Sequence, residues 1–259
     1  MKKNGKPAAK AKAKTSAKFK GTTHVMFVLD KSGSMDVCRA QTIAGFNDGL
    51  VGLQSGEGDI QATLTMFDTT CSTPFENTPI KDVLPLDNAR YIPDGGTALL
   101  DAMMLCIGKV EPKVKKGDRA LVIVVTDGEE NSSRDATSEQ VAAKIAELTK
   151  RGNWTFTYQS ADLNAFAHGR GLGIAVGNIN QYANTPVGTA HAGVMRGENL
   201  MAYASSGVAS SKSFYGHDSV SHPVDVDPGQ VVPSVSGGQP TDWVKPTNTA
   251  GSTPGSWTK

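Results

Sequence analysis

The stretch His24-Val-Met-Phe-Val-Leu-Asp30-Lys-Ser32-Gly-Ser34-Met35 decides how the rest of the chain reads. Its first part is an apolar run rich in Val, Leu and Phe, the pattern of a strand buried on both faces of a parallel sheet. A carboxylate closes the run, and two hydroxyls follow at alternate positions. Because Asp30, Ser32 and Ser34 alternate with Lys31 and Gly33, a loop leaving the strand can turn all three oxygen-bearing side chains toward one point. The carboxyl ends of such strands are where open α/β sheets bind ligands. Oxygen donors with one charge among three suit a hard cation such as Mg²⁺, and the lack of Cys and His in the cluster argues against zinc. The same residues are also N-cap chemistry for a helix starting near Met35, so this stretch alone leaves capping and metal binding as alternatives.

Two later stretches bear on that choice. Gly95-Gly96-Thr97-Ala98-Leu99-Leu100-Asp101-Ala102 adds a hydroxyl on a glycine-rich loop where a helical pattern begins. Ala120-Leu-Val-Ile-Val-Val-Thr126-Asp127-Gly128 is a second buried strand that ends in a carboxylate. With these three pieces in order, the sequence resembles the von Willebrand factor A-type (vWA) domain family, and within it the intracellular bacterial or bacteriophage single-domain type. The metal-ion-dependent adhesion site (MIDAS) of that family is assembled from three such pieces. The resemblance implies that Ser32, Ser34 and Thr97 are direct hydroxyl ligands and that Asp30 and Asp127 bind directly or through water. All five positions match, and the resemblance extends from about residue 23 to about residue 207. It further implies Mg²⁺ (or Mn²⁺) as the cofactor, and a protein partner that presents Asp or Glu to the metal.

The remaining pattern alternates strand and helix. Ile43, Phe46, Leu50 and Leu53 fall at helical spacing and predict an amphipathic helix over about 35–54, ended by Ser55-Gly-Glu-Gly-Asp. Residues 60–67 alternate apolar and polar as a half-buried strand does, and Pro74, Pro79 and Pro85 demote a short strand over 75–84 to an edge. Leu99, Met103, Cys106 and Val110 share the inner face of a helix over 98–110. Thr137-Ser-Glu-Gln140 is a capping box opening a helix with Val141, Ile145 and Leu148 inward. Strands follow at 120–126 and 154–158, then a short helix over 162–170, an irregular 173–182 with at most one short strand, and a last helix over 188–206. This succession predicts an α/β fold, a doubly wound, mostly parallel central sheet with helices on both faces and one antiparallel edge strand.

Charge and composition divide the 259 residues. The net charge is +1, yet the first twenty residues carry eight Lys and no acid, leaving 18 basic against 25 acidic residues in the rest. The expected organisation is a Lys-rich disordered arm over 1–20, a vWA domain over 21–207 and an irregular Pro/Gly/Ser-rich extension over 208–259, in which 11 of the last 39 residues are Pro or Gly. Such an arm either solubilises the chain or makes weak, salt-sensitive nucleic-acid contact through phosphates. Cys38, Cys71 and Cys106 lack disulfide or zinc spacing and suit a reducing compartment. No apolar stretch approaches the roughly 20 residues that span a bilayer, and no secretory leader is legible, so the expectation is a cytoplasmic protein with no membrane contact.

Other chemistries fail on their motifs. There is no Gly-x-x-x-x-Gly-Lys-Ser/Thr loop or Gly-x-Ser-x-Gly elbow, and Gly169-Arg-Gly-Leu-Gly173 lacks dinucleotide-binding spacing. His24, His168, His191, His217 and His222 are scattered and read as structural or solvent-exposed. Glu129 and Glu130 beside Asp127 read as solvated rim rather than as bases for metal-bound water. The expectation is therefore a metal-dependent protein-binding module and not an enzyme, with Lys31, Asp94, Glu129 and Glu130 forming the rim of its site. One alternative is a vWA subunit or accessory factor of an AAA-ATPase or metal-dependent enzyme complex. The other is a structural or nucleic-acid-associated protein using the basic arm.

Overall fold

Strand β1 (Thr23–Asp30) is buried along its whole length and shares its side chains between two layers. Val25, Phe27 and Leu29 enter one hydrophobic cluster while Met26 and Val28 enter another, since successive strand residues point to opposite faces. The structure, a computed structural model, describes residues 18–216. Helix α1 (Arg39–Ser55) leads to β2 (Ile60–Phe67) and β3 (Cys71–Pro79). Helix α2 (Leu99–Val110), β4 (Arg119–Thr126), α3 (Ser138–Lys150), β5 (Trp154–Ser160), α4 (Ala165–Gly171), β6 (Ile179–Gln181) and α5 (Pro186–Ser205) follow. The strands lie in the order β3-β2-β1-β4-β5-β6, all neighbours parallel except the antiparallel β2–β3 pair. Helices α1 and α5 cover the face carrying Val25 and Phe27, and α2, α3 and α4 cover the other. This is the doubly wound sheet with one antiparallel edge that the sequence predicts. From β1 the chain winds outward to β2, then returns to build β4 on the opposite side, so the carboxyl ends of β1 and β4 flank the topological switch point.

Three local expectations change. Strand β2 is buried at seven of its eight positions rather than on alternate ones, because both of its faces are covered. Its threonines are satisfied internally: Thr63 Oγ1 accepts from the Asn77 amide at 2.8 Å, and Thr65 Oγ1 lies 3.3 Å from Thr73 Oγ1. The edge strand begins at Cys71, earlier than expected, and two register shifts interrupt it, one beside Pro74 and one beside Asn77, whose φ is +45°. The first helix starts late, because Gly33–Cys38 forms a 3₁₀ turn before α1 begins at Arg39.

Packing also passes both expected domain boundaries. Phe19 lies under the Arg119 guanidinium, 4.3 Å from its carbon to the ring centroid. Beyond residue 207, Phe214 and Tyr215 are buried in the α1/α5 layer, and the Ser211 amide donates to Thr155 Oγ1 at 2.9 Å. Arg119 is fully buried; its guanidinium donates to the carbonyls of Ala204 (2.9 Å), Ser206 (3.1 Å) and Val208 (2.7 Å), placing a cation at the C-terminus of α5. The arm expected over 1–20, apart from its last three residues, and the extension from 217 onward lie outside the described residues. No helix among the described residues is long and apolar enough to cross a membrane.

Helices α1 and α5 approach closely where glycines face each other. A Cβ on Gly45 would sit 3.0 Å from Gly193 Cα, and Gly49 faces Gly197 one turn further on. Gly45→Ala should therefore cost about 1–3 kcal/mol by overpacking, and Gly45→Val more. Urea denaturation checks this; an unchanged midpoint for both variants would show that the helices can separate freely.

Candidate metal centre

Because β1 and β4 are parallel neighbours with Leu29 paired to Val125, their last residues emerge side by side. Asp30 is fully buried; its Oδ1 accepts from the Ser32 amide at 2.7 Å and its Oδ2 from Thr126 Oγ1 at 2.5 Å. Asp127 accepts from Ser34 Oγ at 2.7 Å on Oδ1 and from Asn184 Nδ2 at 3.4 Å on Oδ2. Ser32 Oγ and Ser34 Oγ lie 3.2 Å apart. The 3₁₀ turn produces this arrangement, sinking Met35 into the core while leaving Ser34 at the surface beside Asp127.

Backbone bonds tie the third piece to the first. The Gly33 amide donates to the Gly95 carbonyl at 3.1 Å, and the Asp94 amide donates to the Lys31 carbonyl at 2.9 Å. Gly95 has φ +67°, and a Cβ there would fall 2.6 Å from Thr69 Oγ1, so the loop needs glycine at this position. Thr97 is buried and held by Asn131, whose Oδ1 accepts from the Thr97 amide at 2.9 Å and whose amide donates back at 3.0 Å. A Cβ on Gly128 would come within 3.8 Å of Ser34 Oγ and 4.0 Å of Thr97 Oγ1, so its absence leaves a hollow that both hydroxyls face. The structure thus brings Asp30, Ser32, Ser34, Thr97 and Asp127 to one place.

Electrostatically the group is unbalanced. Burial pushes the Asp30 carboxyl up to about 6, against the opposing hydrogen bonds from Thr126 and Ser32, and burial also raises Asp127. Among the described residues no Lys, Arg or His pairs with either carboxylate, and Lys31 is bound instead to Asp68. Two desolvated carboxylates and three hydroxyls, all oxygen donors, fit a hard divalent cation.

Several residues that hold the site were not foreseen. Tyr91 donates to the Asp30 carbonyl at 2.5 Å and Tyr182 to the Thr126 carbonyl at 3.0 Å. The rim is smaller than expected. Glu130 turns inward, where its carboxylate accepts from the amides of Leu100 (3.0 Å), Ser132 (2.9 Å) and Ser133 (2.7 Å), so it caps α2 and orders the loop. With Lys31 engaged by Asp68, Asp94 and Glu129 remain as the exposed acids of the expected rim. His24 is buried in β1, its Nδ1 2.9 Å from Asn77 Oδ1, consistent with a structural role.

The von Willebrand factor type A domain profile matches residues 24–170, more than half of the chain, and the chain belongs to that family. No curated protein matches it. Among solved structures it is similar to the pilus adhesin SpaC of Lactobacillus rhamnosus GG in its open conformation (TM-score 0.52, 12% identity, 72% of this chain and 31% of that one). Others are the manganese-loaded TRAP protein of Plasmodium vivax (TM-score 0.48, 14% identity, 66% and 71%) and proximal thread matrix protein 1 of the mussel byssus (TM-score 0.48, 15% identity, 72% and 46%). At these identities the likeness is one of fold alone. The chain spans about half the length of the mussel protein chains it matches.

Proposed function

We propose that this chain is a divalent-metal-dependent protein-binding module, not an enzyme, and that Asp30, Ser32, Ser34, Thr97 and Asp127 make a complete MIDAS. Domains of this family commonly bind metal through that motif and mediate protein interactions. The observation that carries the reading here is the pair of buried carboxylates, Asp30 and Asp127, with no cationic partner among the described residues and three hydroxyls gathered beside them. Ser32, Ser34 and Thr97 would hold Mg²⁺ or Mn²⁺ directly, with Asp30 and Asp127 doing so directly or through water. When bound, such an ion would supply an electrophilic coordination position for a partner's carboxylate oxygen, most strongly where Asp30 and Asp127 act through water and only the neutral hydroxyls touch it.

This chain's own residues set the rest. Asn131 fixes the backbone of Thr97, Asn184 and Ser34 orient Asp127, and Thr126 orients Asp30. The exposed acids Asp94 and Glu129 repel extended negative surfaces, which selects a partner Asp or Glu set within a neutral or basic patch. The inward turn of Glu130 leaves one acid fewer to act as a base toward bound water, which favours binding over hydrolysis.

Thr97→Ala removes a hydroxyl on a loop while deleting little core volume, so it should weaken partner retention by at least about tenfold with little change in stability. Pull-downs of wild type and variant with Mg²⁺ and with EDTA check this. A partner retained equally in EDTA, or equally by both proteins, would show that binding uses another face.

A further inference from the structure

Outside the five-residue group, at the same edge of the sheet, Glu129, Asp162 and His168 each bring one ligand atom within 4.8 Å of the other two. Strands β4 and β5 are neighbours, so the loops carrying Glu129 and Asp162 leave the sheet side by side, and His168 comes from the last turn of the short helix α4. The Asp162 side chain is 9% exposed. Its Oδ1 accepts from the Asn164 amide at 2.9 Å, while Oδ2 is buried and receives no hydrogen bond among the described residues. Nδ1 of His168 stands only 2.7 Å from that oxygen, yet the ring is not oriented for an N–H to point at it. Two such atoms, close together with neither donating to the other, leave both lone pairs open to a third atom. Tetrahedral ligands on an ion with bonds of about 2.1 Å lie roughly 3.4 Å apart, so the His168 ring would move away from Oδ2 by about 0.7 Å to share an ion with it.

We propose that Glu129, Asp162 and His168 form a second cation site, one that takes a divalent transition-metal ion such as Zn²⁺ or Co²⁺. The imidazole donor selects these ions over Mg²⁺, the two carboxylates balance the charge, and three protein ligands leave a position for water. The site is independent of the first in its ligands but shares its loop, since Glu129 lies two residues after Asp127. Filling it fastens the end of that loop to α4.

The test is a Zn²⁺ titration of the full chain by calorimetry, with Mg²⁺ in large excess, repeated with Co²⁺ to read the visible absorption of an imidazole-bound ion. Wild type should bind one ion, and the exposed-residue variant Glu129→Gln and the half-exposed His168→Ala should each weaken it by at least about tenfold. Asp127→Ala and His191→Ala should retain it. If wild type takes up no Zn²⁺ under excess Mg²⁺, or if Glu129→Gln and His168→Ala bind as wild type does, the proposal is overturned and the 2.7 Å contact is an ion pair only.

Discussion

Asp30→Asn is expected to stabilise the metal-free protein near neutral pH and to remove its response to Mg²⁺. In the folded chain the carboxyl of Asp30 is raised from 3.8 to about 6, so above that pH the fold carries an ionised group that it disfavours. A shift of about two units corresponds to about 3 kcal/mol. Asparagine keeps an oxygen for the Ser32 amide, and the Thr126 hydroxyl, which now donates to Oδ2, can turn and accept from the new amide. Up to about 2 kcal/mol should be recovered, raising Tm by several degrees, while Mg²⁺ affinity falls by about a hundredfold or more. Thermal denaturation with and without saturating Mg²⁺ reads both effects. A variant less stable than metal-free wild type that still gains Tm with Mg²⁺ would contradict the assignment of Asp30.

The second large effect is on pH dependence. Because the folded value lies above the unfolded one, Asp30 contributes a penalty that is absent below about 3.8, grows as pH rises through about 6, and is complete above it. Asp127, raised by burial, acts in the same direction. Metal-free protein should therefore gain stability from these two groups as pH falls from about 7.5 toward about 5. Metal binding requires the ionised forms and runs the opposite way. Saturating Mg²⁺ should raise Tm by several degrees at about pH 7.5 and by little at about pH 5. A Mg²⁺ increment equal at both values would mean that neither carboxylate takes part.

Much of this site is legible in the sequence because its chemistry sits at strand ends. A buried run closing in Asp30 or Asp127 signals both the parallel sheet and the direction its ligands face, and the hydroxyls of Ser32 and Ser34 follow the first of those ends directly, although a 3₁₀ turn and not an extended loop brings them together. What stayed hidden depends on side chains meeting across long sequence separations. Asn184, Tyr91 and Tyr182 reach the site from irregular segments without periodicity, so nothing near them in sequence marks their role. Glu130 misled because an acid beside a candidate ligand reads as rim, whereas its partners are backbone amides that no residue pattern displays. The facing Gly45 and Gly49 on α1 and Gly193 and Gly197 on α5 did carry a signal, small residues at i, i+4 spacing in two helices. The alternation in β2 failed as a burial signal because its threonines satisfy their hydroxyls inside the sheet.

Oxygens of five residues from three separate segments are expected to hold one divalent ion. Crystals grown or soaked with Mn²⁺ allow the ion to be located by its anomalous scattering, independently of any partner. A peak enclosed by Ser32, Ser34, Thr97, Asp30 and Asp127 is expected, and it should be lost in Asp127→Ala crystals. A map with no peak at that place, whatever other positions the ion occupies, would contradict it.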